Sequence, residues 1–292
     1  MKREMPSEGT VETARSYPAE SGLRMQHKSR DDSRVSHFTH DVFRPFILAW
    51  HFLTAIPISR SHHEPSSAEL ATSMAWYSTV GLLIGGLLVA ADQGLRLFLT
   101  AEVVNVLLIV LLVLLTRGLH QDGLADTLDG LAGGRTAADR LRIMRDPSVG
   151  ALGATGLFLS LLLRYAGLLA LPQPLRLPVL LCMPALGRWA MVSVAWASPY
   201  ARREGGLAAA FLTHLSWQHV LLSSFVVACA LMAGLGVMAA AATIGLGAVM
   251  VVVVRRGCRT WFGGVTGDLL GATNELIEIL FLLLIPLLVM AR

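Results

Sequence analysis

Apolar runs long enough to cross a bilayer constrain this fold more than any other feature of the sequence. A helix needs about 20 mostly apolar residues to span the hydrocarbon core. Val106 to Leu115 contains no polar residue at all, whereas a helix at the surface of a soluble bundle shows a polar stripe. Charged residues make up 15% of the chain, against about 25% in soluble domains, too few to clothe a soluble protein of this size. The runs near 74–91, 101–116, 149–171, 177–197, 220–236, 238–254 and 269–290 predict about seven crossings. The expected class is all-α, a polytopic integral membrane helical bundle in contact with the lipid bilayer.

Breaks in these runs divide the chain further. Residues 1–40 are polar, mixed in charge and poor in large aliphatic side chains, so a disordered extension is expected; residues 41–292 form the transmembrane domain. Phe43 to Ile58 is short and interrupted by Pro45 and Pro57, which predicts a re-entrant or interfacial segment. Val220 to Val254 would measure roughly 52 Å as one helix, too long for a single crossing, so a hairpin is expected at Gly234 and Gly236.

Lysine and arginine placement orients the bundle. If Phe43–Ile58 does not cross and the seven runs do, 19 of the 24 Lys and Arg residues share one side. Cytoplasmic loops carry that excess, so this side, with the loop at 117–148, is expected to face the cytoplasm. Cys182, Cys229 and Cys258 lack the paired spacing of a disulfide framework or thiolate metal site. No basic, aromatic-rich stretch points to nucleic acid.

Chemistry concentrates in Gly118-Leu-His-Gln-Asp-Gly-Leu-Ala-Asp-Thr-Leu-Asp-Gly130. Asp122, Asp126 and Asp129 fall within about 60° on one helical face. Carboxylates so placed repel one another unless a cation sits among them, and hard oxygen donors select Mg²⁺ or Mn²⁺. A second cluster, Asp268, Asn274, Glu275 and Glu278, forms a stripe on an otherwise apolar helix, where each carboxylate is costly without a compensating partner. Arg142 and Arg145, next to Asp146, and Arg202 are candidate phosphate clamps, since the guanidinium fork matches phosphate oxygens; these arginines equally suit a topology-setting loop. Arg164 and Arg188 lie inside apolar runs, and intramembrane arginines face a partner or a wet cavity. His120 is a candidate base or ligand.

These stretches together resemble the cobalamin synthases, the adenosylcobinamide-GDP ribazoletransferases. The matching segments are Phe52-Leu-Thr-Ala-Ile-Pro57, the 118–130 motif, Arg142-Ile-Met-Arg-Asp-Pro-Ser-Val-Gly150, Arg188-Trp-Ala-Met191, Pro199-Tyr-Ala-Arg202 and Gly263-Gly-Val-Thr-Gly-Asp-Leu-Leu-Gly-Ala-Thr-Asn-Glu275. The resemblance implies a Mg²⁺-dependent transfer of the adenosylcobinamide phosphate group from adenosylcobinamide-GDP to α-ribazole or its 5′-phosphate, with GMP leaving. It implies catalytic roles for Asp122, Asp126, Asp129 and His120 and metal ligation by Asp122, Asp126, Asp129 and Asp268. Substrate contacts from Arg142, Arg145, Asp146, Arg188, Arg202, Asn274 and Glu275 are expected, and a homo-oligomer is left open. Two rivals fit less well. A CDP-alcohol phosphotransferase would carry Arg where Asp126 stands, and a secondary transporter would show two similar halves.

Overall fold

The computed structural model describes residues 43–59, 64–196, 198–202 and 204–290. The expected extension at 1–40 lies outside them. Helix α1 covers 43–53, followed by α2 (Ser67–Met74), α3 (Tyr77–Leu95), α4 (Ala101–Thr116), α5 (Leu119–Gly133), α6 (Ala137–Ile143), α7 (Ala151–Ala170) and α8 (Gln173–Ala195). Then come α9 (Leu207–Thr213), α10 (Trp217–Leu235), α11 (Val237–Gly257), a π-helical turn (Cys258–Phe262) and α12 (Gly267–Met290). The described residues hold no strand, only a parallel bridge between Tyr200 and Val265.

This is a polytopic helical membrane protein. Six helices are long and apolar enough to cross: α3, α7, α8, α10, α11 with its π turn, and α12. Helix α4 makes a seventh, but only when taken together with α5, and the chain bends by 89° between them. With 11 residues, α1 reaches roughly 16 Å, too short for a crossing. The hairpin expected in the long run falls at Gly236 (φ 78°), a left-handed position that suits glycine.

Helix α8 is the axis of the bundle. Every residue from Cys182 to Ala195 is buried, as an all-round apolar helix should be. Helix α3 lies close against it because Gly81 and Gly85 have no side chain; a Cβ on Gly85 would sit 2.1 Å from the Leu181 carbonyl oxygen. Small residues four apart let helices in lipid approach closely where dispersion replaces the hydrophobic drive.

Two charge networks are sealed inside. At one end, Arg176 of α8 donates to Asp92 of α3 at 2.7 and 2.9 Å and to Asn105 of α4 at 2.7 Å. Nearer the other end, Arg164 of α7 donates to Glu278 at 2.7 Å and Glu275 at 2.8 Å on α12. Arg188 of α8 pairs with Glu278 from the other side. Each network joins three helices, and removing one charge would leave its partner stranded in low dielectric.

Candidate active site

The 89° bend is made by two successive left-handed residues, Arg117 (φ 54°, ψ 28°) and Gly118 (φ 66°, ψ 12°). It turns α5 sharply away from α4, and α5 packs on α7 and the start of α12. The crossing with α12 is tight. Gly123 faces the backbone of Asp268, and a Cβ there would lie 2.5 Å from its carbonyl oxygen. Gly271 meets the backbone of His120 in the same way, at 3.3 Å for an added Cβ. Backbone contact at these two glycines brings the two acidic clusters together.

Asp126 feels the result. Its pKa is pushed up to about 6, first by burial and then by the carboxylates of Asp122 and Asp268, with Asp129 adding less and Arg202 opposing. Arg202 donates to Asp268 at 2.7 Å. It is held in place by the Tyr200–Val265 bridge, where Ala201 N–H donates to the Val265 carbonyl at 3.0 Å and Val265 N–H to that of Pro199 at 2.9 Å. A cavity of about 250 Å³ opens here, lined by His120, Asp122, Arg202 and Asp268 on its polar side and by Tyr77, Tyr200 and Phe211 among its rings.

Asp129 is used differently from its two neighbours. Its carboxylate accepts from the backbone N–H of Gly150 at 2.7 Å and of Gly153 at 2.8 Å. It therefore satisfies two orphan donors at the start of α7 and favours the positive end of that helix dipole. Asp122 and Asp268 are the carboxylates whose charge bears most on Asp126. Among the described residues, no three His, Cys, Asp or Glu side chains form a ready-made metal ligand set. The donor chemistry still fits Mg²⁺, which keeps several waters and takes one or two carboxylates plus substrate phosphates.

His120 is buried, and Arg188 Nη2 stands 3.4 Å from its Nδ1. A guanidinium can only donate, so Nδ1 accepts and the proton lies on Nε2, which has no protein partner. His120 is thus a neutral ring offering an N–H, which suits a hydrogen-bond donor better than a base.

The remaining predicted residues separate into two groups. Arg188, Asn274 and Glu275 are almost fully buried and bound to one another's neighbours: Asn274 donates to Glu278 at 3.0 Å, and Glu275 takes Arg164. They stand behind His120 and line neither cavity beside Asp122. Arg142, Arg145 and Asp146 are exposed on α6 and the loop after it. Arg145 pairs with Glu204 at 2.6 Å, tying that loop to the one carrying Arg202, while Asp146 accepts from Ser148 N–H at 2.9 Å. Sequence reading missed Arg117, which lines a second cavity that also reaches Asp122. Its one legible signal was a non-glycine residue at a helix break before Gly118.

Fold and site together define a polytopic membrane protein with an aspartate-rich, arginine-edged site across one end of the bundle. The profile described as cobalamin-5-phosphate synthase matches residues 45–286, and the chain belongs to that family. It is 39% identical to the adenosylcobinamide-GDP ribazoletransferase of Syntrophobacter fumaroxidans, over 73% of this chain and 86% of that protein. The protein of the same name from Chlorobaculum tepidum is 36% identical over 80% and 91%, and that from Pseudomonas syringae pv. syringae 38% over 84% and 99%. No solved structure matches the chain.

Proposed function

We propose that this protein is a Mg²⁺-dependent adenosylcobinamide-GDP ribazoletransferase of the bacterial inner membrane, with its active site at the cytoplasmic face. In this reading the ribosyl hydroxyl oxygen of α-ribazole, or of its 5′-phosphate, bonds to the phosphorus carried by cobinamide. The bond from that phosphorus to the GMP oxygen breaks, and GMP leaves. The observation that carries the proposal is the meeting of Asp122 and Asp126 on α5 with Asp268 on α12 beside Arg202, in a chain of this family.

Phosphoryl transfer asks a protein chiefly for positioning and charge neutralisation. Asp122, Asp126 and Asp268 would hold Mg²⁺, which when bound neutralises the diphosphate. Arg202 offers a fork to phosphate oxygens, and its pairing with Asp268 fixes its direction. His120 offers an Nε2–H to an oxygen of the substrate. One of these carboxylates would accept the hydroxyl proton. The apolar ring walls of Tyr77 and Phe211 keep water from the reacting atoms. The arginine excess on the side of the 117–148 loop supports a cytoplasmic-facing site.

Purified protein in lipid nanodiscs, supplied with adenosylcobinamide-GDP, α-ribazole and Mg²⁺, is expected to release GMP, and Asp126→Asn is expected to insert normally and release none. Full turnover by Asp126→Asn would overturn the assignment.

A further inference from the structure

Arg117 is the one described non-glycine residue with a positive φ. Gly118, next to it, is also left-handed, so the bend could have been made from two glycines with no steric cost. An arginine held in that conformation asks what its side chain is for. Arg117 Nη2 donates to the His51 carbonyl at 2.9 Å, which anchors one edge of the guanidinium. Among the described residues no carboxylate pairs with it. The anchored cation stands at a cavity of about 390 Å³ whose other walls include Phe52, Leu119, Val149 and Leu157 and which reaches Asp122. The cavity containing Arg202 and Asp268 shares Phe52, Leu119 and Asp122 with it. Two cavities therefore meet at one aspartate.

Displacement at phosphorus places the attacking and leaving oxygens roughly in line on opposite sides. A reaction between two substrates needs such a pair of sites. Both cavities have largely apolar walls; the Arg202 cavity adds His120 and two aspartates with Arg202 already paired to Asp268, whereas the Arg117 cavity has one carboxylate at its inner end and a cation with no carboxylate partner among the described residues. We propose that the Arg117 cavity holds the attacking nucleoside, with the flat apolar base against Phe52, Val149 and Leu157, the ribose near Asp122, and a 5′-phosphate on Arg117. Arg117 is then the residue that selects the phosphorylated nucleoside over the free one. The inference rests on the ribazoletransferase reading for its ligand, and on the cavity and a cation with no carboxylate partner among the described residues for its anion site.

Two measurements keep these apart. Calorimetric titration of α-ribazole 5′-phosphate and of α-ribazole into the nanodisc-held protein, without the second substrate, tests the anion site. Arg117→Gly, which relaxes the left-handed position, is expected to weaken binding of the phosphate at least tenfold and to leave binding of the free nucleoside within about twofold. Arg117→Lys, which keeps the charge and loses the fork, should fall between. Equal weakening of both ligands, no weakening of either, or no binding of the phosphate by the unaltered protein would overturn the proposal. GMP release then tests the reaction. Selective loss with Arg117→Gly, in a protein that releases no GMP with either nucleoside, would uphold the anion site and refute the ribazoletransferase reading.

Discussion

Gly123→Ala adds one methyl group and removes no chemistry, yet it should disable the site. The new Cβ would lie 2.5 Å from the Asp268 carbonyl oxygen, where ordinary contact begins near 3.4 Å. Helices α5 and α12 must then separate by roughly 0.9 Å at their crossing, since the obstacle is backbone and cannot rotate away. Overpacking of this size costs about 1–3 kcal/mol in stability, which a helical bundle of this size survives. Catalysis is less forgiving, because misplacing reacting groups by about 1 Å can lower a rate by about 100-fold. GMP release at saturating substrates should therefore fall by roughly 10- to 100-fold while thermal unfolding shifts by only a few degrees. Gly94→Ala, a helical glycine with nothing within 4 Å of its added Cβ, is the matched control and should stay active. Wild-type turnover by Gly123→Ala would refute the idea that the site is assembled by contact between α5 and α12.

Three further outcomes are expected. Asp129→Ala should leave the Gly150 and Gly153 N–H groups without their acceptor and cost about 1–2 kcal/mol, read as a lower unfolding temperature and faster amide exchange at the start of α7. Glu278→Gln should leave Arg188 without its carboxylate and Arg164 with Glu275 alone, with a loss of about 3–5 kcal/mol seen as poor folded yield in detergent; an unchanged melting temperature would contradict the buried pairing. Asp126 has a folded pKa of about 6 against 3.8 unfolded, so the metal-free folded state binds the extra proton. Metal-free stability should then decline as pH rises from about 4 to 6, and added Mg²⁺ should restore stability most above pH 6, where this carboxylate is ionised.

Much of this protein was legible before folding, because hydropathy and helical period are local properties. Bilayer thickness turned the apolar runs into spans, and the hairpin at Gly236 followed from length. The 100° step put Asp122, Asp126 and Asp129 on one face, and all three do lie on α5. What that face does with each carboxylate depended on neighbours far away in sequence. The start of α7 takes Asp129, the α12 backbone at Asp268 approaches Gly123, and no spacing rule could foretell either contact. Intramembrane Arg164, Arg188, Glu275 and Glu278 could be recognised singly as costly charges in need of partners. Their pairing across α7, α8 and α12 was a question of which helix faces which.

The sequence by itself determined a membrane bundle with an acidic helix at one end and a family pattern along almost its full length. Tertiary structure alone decided which carboxylates stay open, which way His120 presents its proton, and that Arg117 and Arg202 stand in separate cavities meeting at Asp122. The physical reason is range: transfer into lipid and the turn of a helix act on neighbouring residues, while a site depends on distances between chains of atoms that only packing brings close.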